Sequence, residues 1–177
     1  MTSSPFPSLR VFLVRHAHAS WALPGMRDFD RPLDARGRDE VRQLAAAMVV
    51  NGYEPDLVFC STARRCEETL DLLLPQLGLT PAVERSDTLY AASHGKYLDL
   101  IGASHPDTVR SIMIIGHNPM IEDTAEALLQ ADPATFAEAL AAGFPTAGLL
   151  IVDCPRSENG ASLENTGFVA LISPADS

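Results

Sequence analysis

Lysine is nearly absent from this chain. Of 13 basic residues in 177, only Lys96 is a lysine, and 23 acidic residues bring the formal charge to −10. A nucleic-acid binder of this size shows a basic surplus, so DNA and RNA are excluded as expected partners. Cysteine is also scarce. Cys60, Cys66 and Cys154 form an odd set with no C-x-x-C spacing, which argues for small buried thiols rather than a disulfide framework or a zinc ribbon. No apolar run approaches the roughly 20 residues that span a bilayer. The opening MTSSPFPSLR lacks the basic start and apolar core of a signal peptide. The expectation is a cytoplasmic protein with no membrane partner. No repeat, low-complexity tract or long linker divides the chain, and its length suits a single domain, 1–177.

The chain is 46% apolar, and its short apolar runs alternate with helical patterns. The runs are Val11–Val14, Leu57–Phe59, Ile112–Ile115, Leu149–Val152 and Phe168–Ile172. They are nearly continuous, as expected of strands covered on both faces. Val41, Leu44, Ala45, Met48 and Val49 trace one helical stripe, stopped by Asn51-Gly52. Ala63, Cys66, Leu70, Leu73 and Leu74 trace a second, expected to end before Pro75. Asn118-Pro119 and Asp132-Pro133 read as N-caps followed by proline at the first helical position, with Gly143 closing the last helix. This alternation predicts an α/β fold with a mainly parallel central sheet.

In such sheets ligands bind beyond the carboxyl ends of the strands. Arg15-His16 follows the first run, and Ser61 and Arg64-Arg65 follow the second. Gly116-His117-Asn118-Pro119 follows the third. Two histidines and two sources of arginine therefore meet at one sheet edge, and two of the segments open helices. Helix N-termini and planar guanidinium groups both suit phosphate, so the pattern predicts a phosphate pocket, able to take sulfate as well, in an otherwise acidic protein. His94 and His105 lie in polar surroundings and read as ordinary loop residues.

These residues also match a family. VFLVRHAHASW resembles the arginine–histidine–glycine signature of the histidine phosphatase superfamily, the phosphoglycerate mutase-like fold, with Ala17 in place of the usual glycine. STARRCEET resembles its second motif, which places the family's arginine at Arg65 rather than Arg64. GHNP resembles the segment that carries the second histidine. DFDRPLDARGRDEVR resembles the SixA-type phosphohistidine phosphatase branch. The resemblance runs from about Val11 to Pro119 and implies a three-layer α/β/α fold. It implies a covalent mechanism in which His16 attacks phosphorus and Arg15, Arg65 and His117 hold the non-bridging oxygens. No cofactor and no metal are implied; the implied partner is a phosphorylated protein or a small phosphorylated molecule. Arg31 either adds a substrate contact or pairs with Asp28 or Asp30. Trp21 and the Arg27–Arg31 loop are candidates for the rim of the site.

One element of the family pattern is missing. Where many members carry a glutamate that protonates the leaving oxygen, this chain reads Leu89-Tyr90-Ala91. Glu84, Asp87, Tyr90 or no residue at all takes that role. An alkoxide leaves poorly without a proton donor, whereas a phosphohistidine can take its proton from solvent and leave as neutral imidazole. The gap and the short chain, which leaves little for a lid, point towards protein phosphohistidine. A small-phosphoester phosphatase using the same site is the alternative.

Three rival readings remain. Cys60 to Arg65 resembles the phosphate loop of cysteine-dependent phosphatases but has four intervening residues where that loop needs five. His16-x-His18 suggests paired metal ligands, without a defined third ligand. A non-catalytic phosphoprotein-binding module would need neither histidine. The segment beyond GHNP carries no motif that points to chemistry.

Overall fold

The computed structural model describes residues 8–174; the reading of the amino-terminal residues as free of a signal peptide falls mostly outside them. The elements follow in chain order as β1 (Leu9–Arg15), α1 (Ala35–Asn51), β2 (Leu57–Ser61), α2 (Arg64–Leu77), β3 (Ala82–Ser86), α3 (Thr88–Ala91), α4 (His94–Gly102), β4 (Ser111–Gly116), α5 (Met120–Leu128), α6 (Pro133–Ala139), β5 (Leu149–Cys154), β6 (Arg156–Ser157), β7 (Gly160–Ala161) and β8 (Gly167–Ile172). A short 3-10 turn, Asp28–Asp30, lies between β1 and α1.

Six strands form one sheet in the order β3-β2-β4-β1-β5-β8. The pairs β3–β2, β2–β4 and β4–β1 are parallel, and β5 runs antiparallel to both β1 and β8. Strand alternation sends successive side chains to opposite faces. Phe12 and Val14 therefore join Leu44, Met48, Leu70 and Leu73 under α1 and α2. Leu9, Val11 and Leu13 join Tyr97, Ile101, Ile121 and Leu128 under α4 and α5. The result is the expected three-layer α/β/α sandwich. Burial on both faces explains why the β1, β2, β4 and β5 segments read as continuous apolar runs.

Four local expectations need correction. Helix α2 passes through Pro75 and ends at Gly78, whose left-handed φ of 65° caps it. Proline so near the carboxyl end removes one helical bond without stopping the last turn. Asn118 does not cap α5; Pro119 occupies the N-cap position, and the Asn118 amide instead donates to Glu122 Oε2 at 3.1 Å. Asp132 caps α6 as expected, but that helix ends at Ala139, before Gly143. Strand β8 is a half-exposed edge rather than a covered strand.

The first motif is held by close packing. Asp34 caps α1 by accepting from Gly37 N–H at 2.9 Å, and its other oxygen accepts from His18 Nδ1 at 2.7 Å. A Cβ on Gly37 would clash with the His18 carbonyl, a backbone atom that cannot swing aside. Gly37→Ala should therefore destabilise the protein by about 1–3 kcal/mol, read as a lowered urea midpoint; an unchanged midpoint would contradict this packing.

Candidate active site

The carboxyl ends of β1, β2 and β4 lie side by side, and each delivers part of one cluster. His16 follows β1, Ser61 ends β2, and His117 follows β4. The two imidazole centroids are 5.4 Å apart. Arg65, in the first turn of α2, is almost fully buried, and its Nε donates to His16 Nε2 at 3.2 Å. Arg64 points elsewhere and pairs with Glu68 at 2.7 Å.

His16 is held in a defined state. Its Nδ1 lies 2.7 Å from the Ala17 carbonyl and donates there, which leaves the lone pair on Nε2. Ala17 N–H donates to Thr69 Oγ1, whose hydroxyl donates to the Arg65 carbonyl at 2.6 Å, so the first two motifs are bonded to each other. Ala17 is fully buried and outside the left-handed region, so this position does not require glycine. Burial pushes His16 down to about 3, with His117, Arg65 and Arg15 adding to the shift. Burial and Arg65 push His117 down to about 4. Both rings are neutral at pH 7. His117 Nε2 hydrogen-bonds Ser61 Oγ at 2.8 Å.

Arg65 also grips Asp28. Its Nη1 donates to the Asp28 carbonyl at 2.7 Å and its Nη2 to the Asp28 carboxylate at 3.0 Å. The same carboxylate accepts from Arg31 Nη1 at 2.9 Å and from the Tyr90 hydroxyl at 3.0 Å. The Arg31 bond, with Arg65 and Tyr90, holds the Asp28 carboxyl down to about 2. Arg31 thus reaches the cluster through Asp28, the pairing weighed in the sequence. Of the three acid candidates, Tyr90 alone is shown against a histidine of the site, its ring 5.5 Å from that of His117. Burial and Asp28 raise its pKa. Asp87 accepts from the Thr62 hydroxyl, and Glu84 lies in the middle of edge strand β3, paired in register with Phe59.

No motif signals what anchors Arg15. Its Nη1 donates to the Phe144 carbonyl at 2.7 Å, and Phe144 N–H donates to Glu122 Oε2 at 3.1 Å. The turn between α6 and β5 therefore straps Arg15 to α5. A backbone carbonyl leaves no mark in a side-chain pattern, so no motif could reveal it. Burial lowers the Arg15 pKa, opposed by Glu122 and Glu40. Its Nε is buried without a partner among the described residues, a donor suited to an added anion. A neighbouring hollow of about 310 Å3 is lined by Arg15, His18, Arg36, Glu40, Phe144 and Thr146, among others.

The rival sites do not assemble. Cys60 is buried, its thiol pushed up and donating to the Ser61 carbonyl at 3.3 Å. Cys66 is buried against His117 and pushed up to about 12. His18 pairs with Asp34, and no group of three metal-ligating side chains gathers among the described residues. No described helix is long and apolar enough to cross a membrane.

The strand ends thus gather two neutral histidines beside a buried arginine, side chains whose chemistry suits a phosphoryl group. The family model of the histidine phosphatase superfamily (branch 1) matches residues 11–111, and the chain belongs to that superfamily. A solved structure assigned to the phosphohistidine phosphatase SixA of Agrobacterium tumefaciens is 37% identical, covers 96% of this chain and 99% of its own, and has a TM-score of 0.82. The protein histidine phosphatase SixA complexed with tungstate shares the fold at a TM-score of 0.70 and 23% identity, covering 95% of this chain and 99% of its own. An uncharacterised chloroplastic protein of Arabidopsis thaliana is 33% identical over 71% of this chain, which spans only 62% of that relative's length. Family and neighbours support a phosphatase.

Because both imidazoles are depressed, the unfolded chain binds their protons first as pH falls. Their contribution to stability is full above about 6.5 and is lost as pH falls towards the folded values near 4 and 3. NMR titration of the ligand-free protein should place both midpoints below about 5; a midpoint near the ordinary histidine value of about 6.5 for His16 would refute a poorly solvated, cation-flanked ring.

Proposed function

We propose that this protein hydrolyses phosphohistidine on a protein substrate, through a covalent phosphohistidine on His16. The observation that carries the reading is His16 Nε2 itself: neutral, lone pair free of its own proton, and set beside the Arg65 guanidinium. Arg65 Nε releases that lone pair to take a phosphoryl oxygen. Nε2 attacks in line; a nitrogen–phosphorus bond forms as the substrate's nitrogen–phosphorus bond breaks. Arg15, Arg65 and His117 stabilise the equatorial oxygens, the dominant requirement of phosphoryl transfer. Arg31 acts one step removed, by fixing the Asp28 carboxylate that orients Arg65. Water then attacks the phosphoenzyme, releasing phosphate and restoring neutral His16.

The proton inventory favours a nitrogen leaving group. Asp28 is a carboxylate held at about 2, and the Tyr90 hydroxyl is committed to it. Neither is matched to protonating an alkoxide near pH 7. A phosphohistidine whose distal ring nitrogen is protonated from solvent leaves as neutral imidazole and needs no such group. The partial exposure of His16 suits a phosphoryl group presented on another protein.

Replacing His16 with alanine should abolish turnover and the acid-labile, base-stable phosphoenzyme, while Arg65→Ala should lower kcat by about 10²–10³. Cys60→Ser should keep full activity, and so should the wild type in excess EDTA. A sugar phosphate hydrolysed much faster than a phosphohistidine peptide would overturn the substrate assignment; loss of activity in Cys60→Ser or EDTA would overturn the mechanism.

A further inference from the structure

The loop between β1 and the 3-10 turn carries six residues in succession without a charged, amide or hydroxyl side chain, Trp21-Ala22-Leu23-Pro24-Gly25-Met26, in a chain of charge −10. Trp21 is 87% exposed and Leu23 66%. Single exposed apolar residues need no explanation, but a run that includes the chain's only tryptophan does. The run is held out by structure. At its base Ser20 N–H donates to the Pro32 carbonyl at 3.0 Å, and Arg31 Nε donates to the Ser20 carbonyl at 2.8 Å. At its tip Met26 N–H closes on the Leu23 carbonyl at 2.9 Å, and Gly25 supplies a left-handed φ of 82°.

The run also borders the phosphoryl site. The Arg31 guanidinium lies 5.9 Å from the Trp21 ring centroid, and that same guanidinium reaches Asp28, then Arg65, then His16. Phe29 and Tyr90, in edge contact at 5.0 Å, continue the aromatic border towards His117. A small phosphate held by Arg15 and Arg65 has no use for an indole this exposed; a large body attached to the phosphoryl group does. Tryptophan, tyrosine and arginine together are the composition of protein-interface centres. The cations here are already paired, Arg27 with Asp30 at 2.7 Å and Arg31 with Asp28, so the border does not attract an anionic bilayer, which the net charge repels.

We propose that the Trp21–Met26 tip is a docking element that packs against an apolar patch on the protein bearing the phosphoryl group, next to the modified histidine. The inference rests on the phosphohistidine reading above and adds to it a surface selective for a protein substrate. Docking lowers KM for the phosphoprotein and leaves the chemistry at His16 unchanged.

The test compares one chemical bond on two bodies: free N-phosphohistidine, and a tryptophan-free folded protein phosphorylated on histidine with phosphoramidate. The double variant Trp21→Ala/Leu23→Ala should lose roughly tenfold or more in kcat/KM on the phosphoprotein, mostly through KM, and nothing on free phosphohistidine. Trp21 emission also reports docking directly. In a His16→Ala background, which cannot turn the substrate over, it should shift to the blue as the phosphoprotein is added. Equal losses on both substrates, or none on the phosphoprotein, would overturn the proposal. So would a blue shift with phosphatidylglycerol vesicles but not with the phosphoprotein, which marks a membrane contact. A concentration-dependent dimer abolished by the double variant would assign the tip to self-association and overturn it too. Failure of the substrate reading shows separately: wild-type enzyme would then turn over a phosphomonoester and neither phosphohistidine substrate.

Discussion

Everything at the strand ends turns on one guanidinium. Arg65 bonds His16 with its inner nitrogen and Asp28 with its outer two, so the second motif, the first histidine and the loop before α1 share one charge. A cation against an imidazole in a poorly solvated pocket keeps the ring unprotonated, and an unprotonated ring can attack phosphorus. The same cation would repel a second positive charge and attract a dianion. Burial does most to keep the His16 ring unprotonated, and this cation adds to it along with His117 and Arg15.

Asp28 balances that arrangement. Without ligand, a buried guanidinium facing two histidines would lack an anionic partner, and unpaired buried charge is costly. The Asp28 carboxylate supplies the charge from a half-exposed position, with Arg31 and Tyr90 on its other sides. In the proposed reaction an incoming phosphoryl group would compete for Arg65 with one carboxylate, and a dianion held too firmly there would leave slowly as product.

The central sheet was legible because its inner strands are covered twice, which makes residues such as Val11–Val14 and Ile112–Ile115 uniformly apolar. Strand β3 leaves no such run because it is an edge whose sequence, Ala-Val-Glu-Arg-Ser, meets solvent. The convergence of His16, Arg65 and His117 was readable, since each stands at a strand end or helix start. The resemblance of STARRCEET to the family's second motif is what points to Arg65 rather than Arg64. The choice among Glu84, Asp87 and Tyr90 was not readable, because it depends on which of three nearby side chains turns inward. Arg15's partner was equally hidden, being a carbonyl more than a hundred residues away.

That carbonyl carries a consequence for what counts as the working unit. The match to the family model ends at residue 111 and the motifs at Pro119, yet Arg15 is tethered through Phe144 to Glu122. Evolution within the α6–β5 connection can therefore retune an arginine at the opposite end of the polypeptide without altering a single signature position. Two homologues with identical signatures can differ in how stiffly they hold the anion, and the difference will be written where no signature looks.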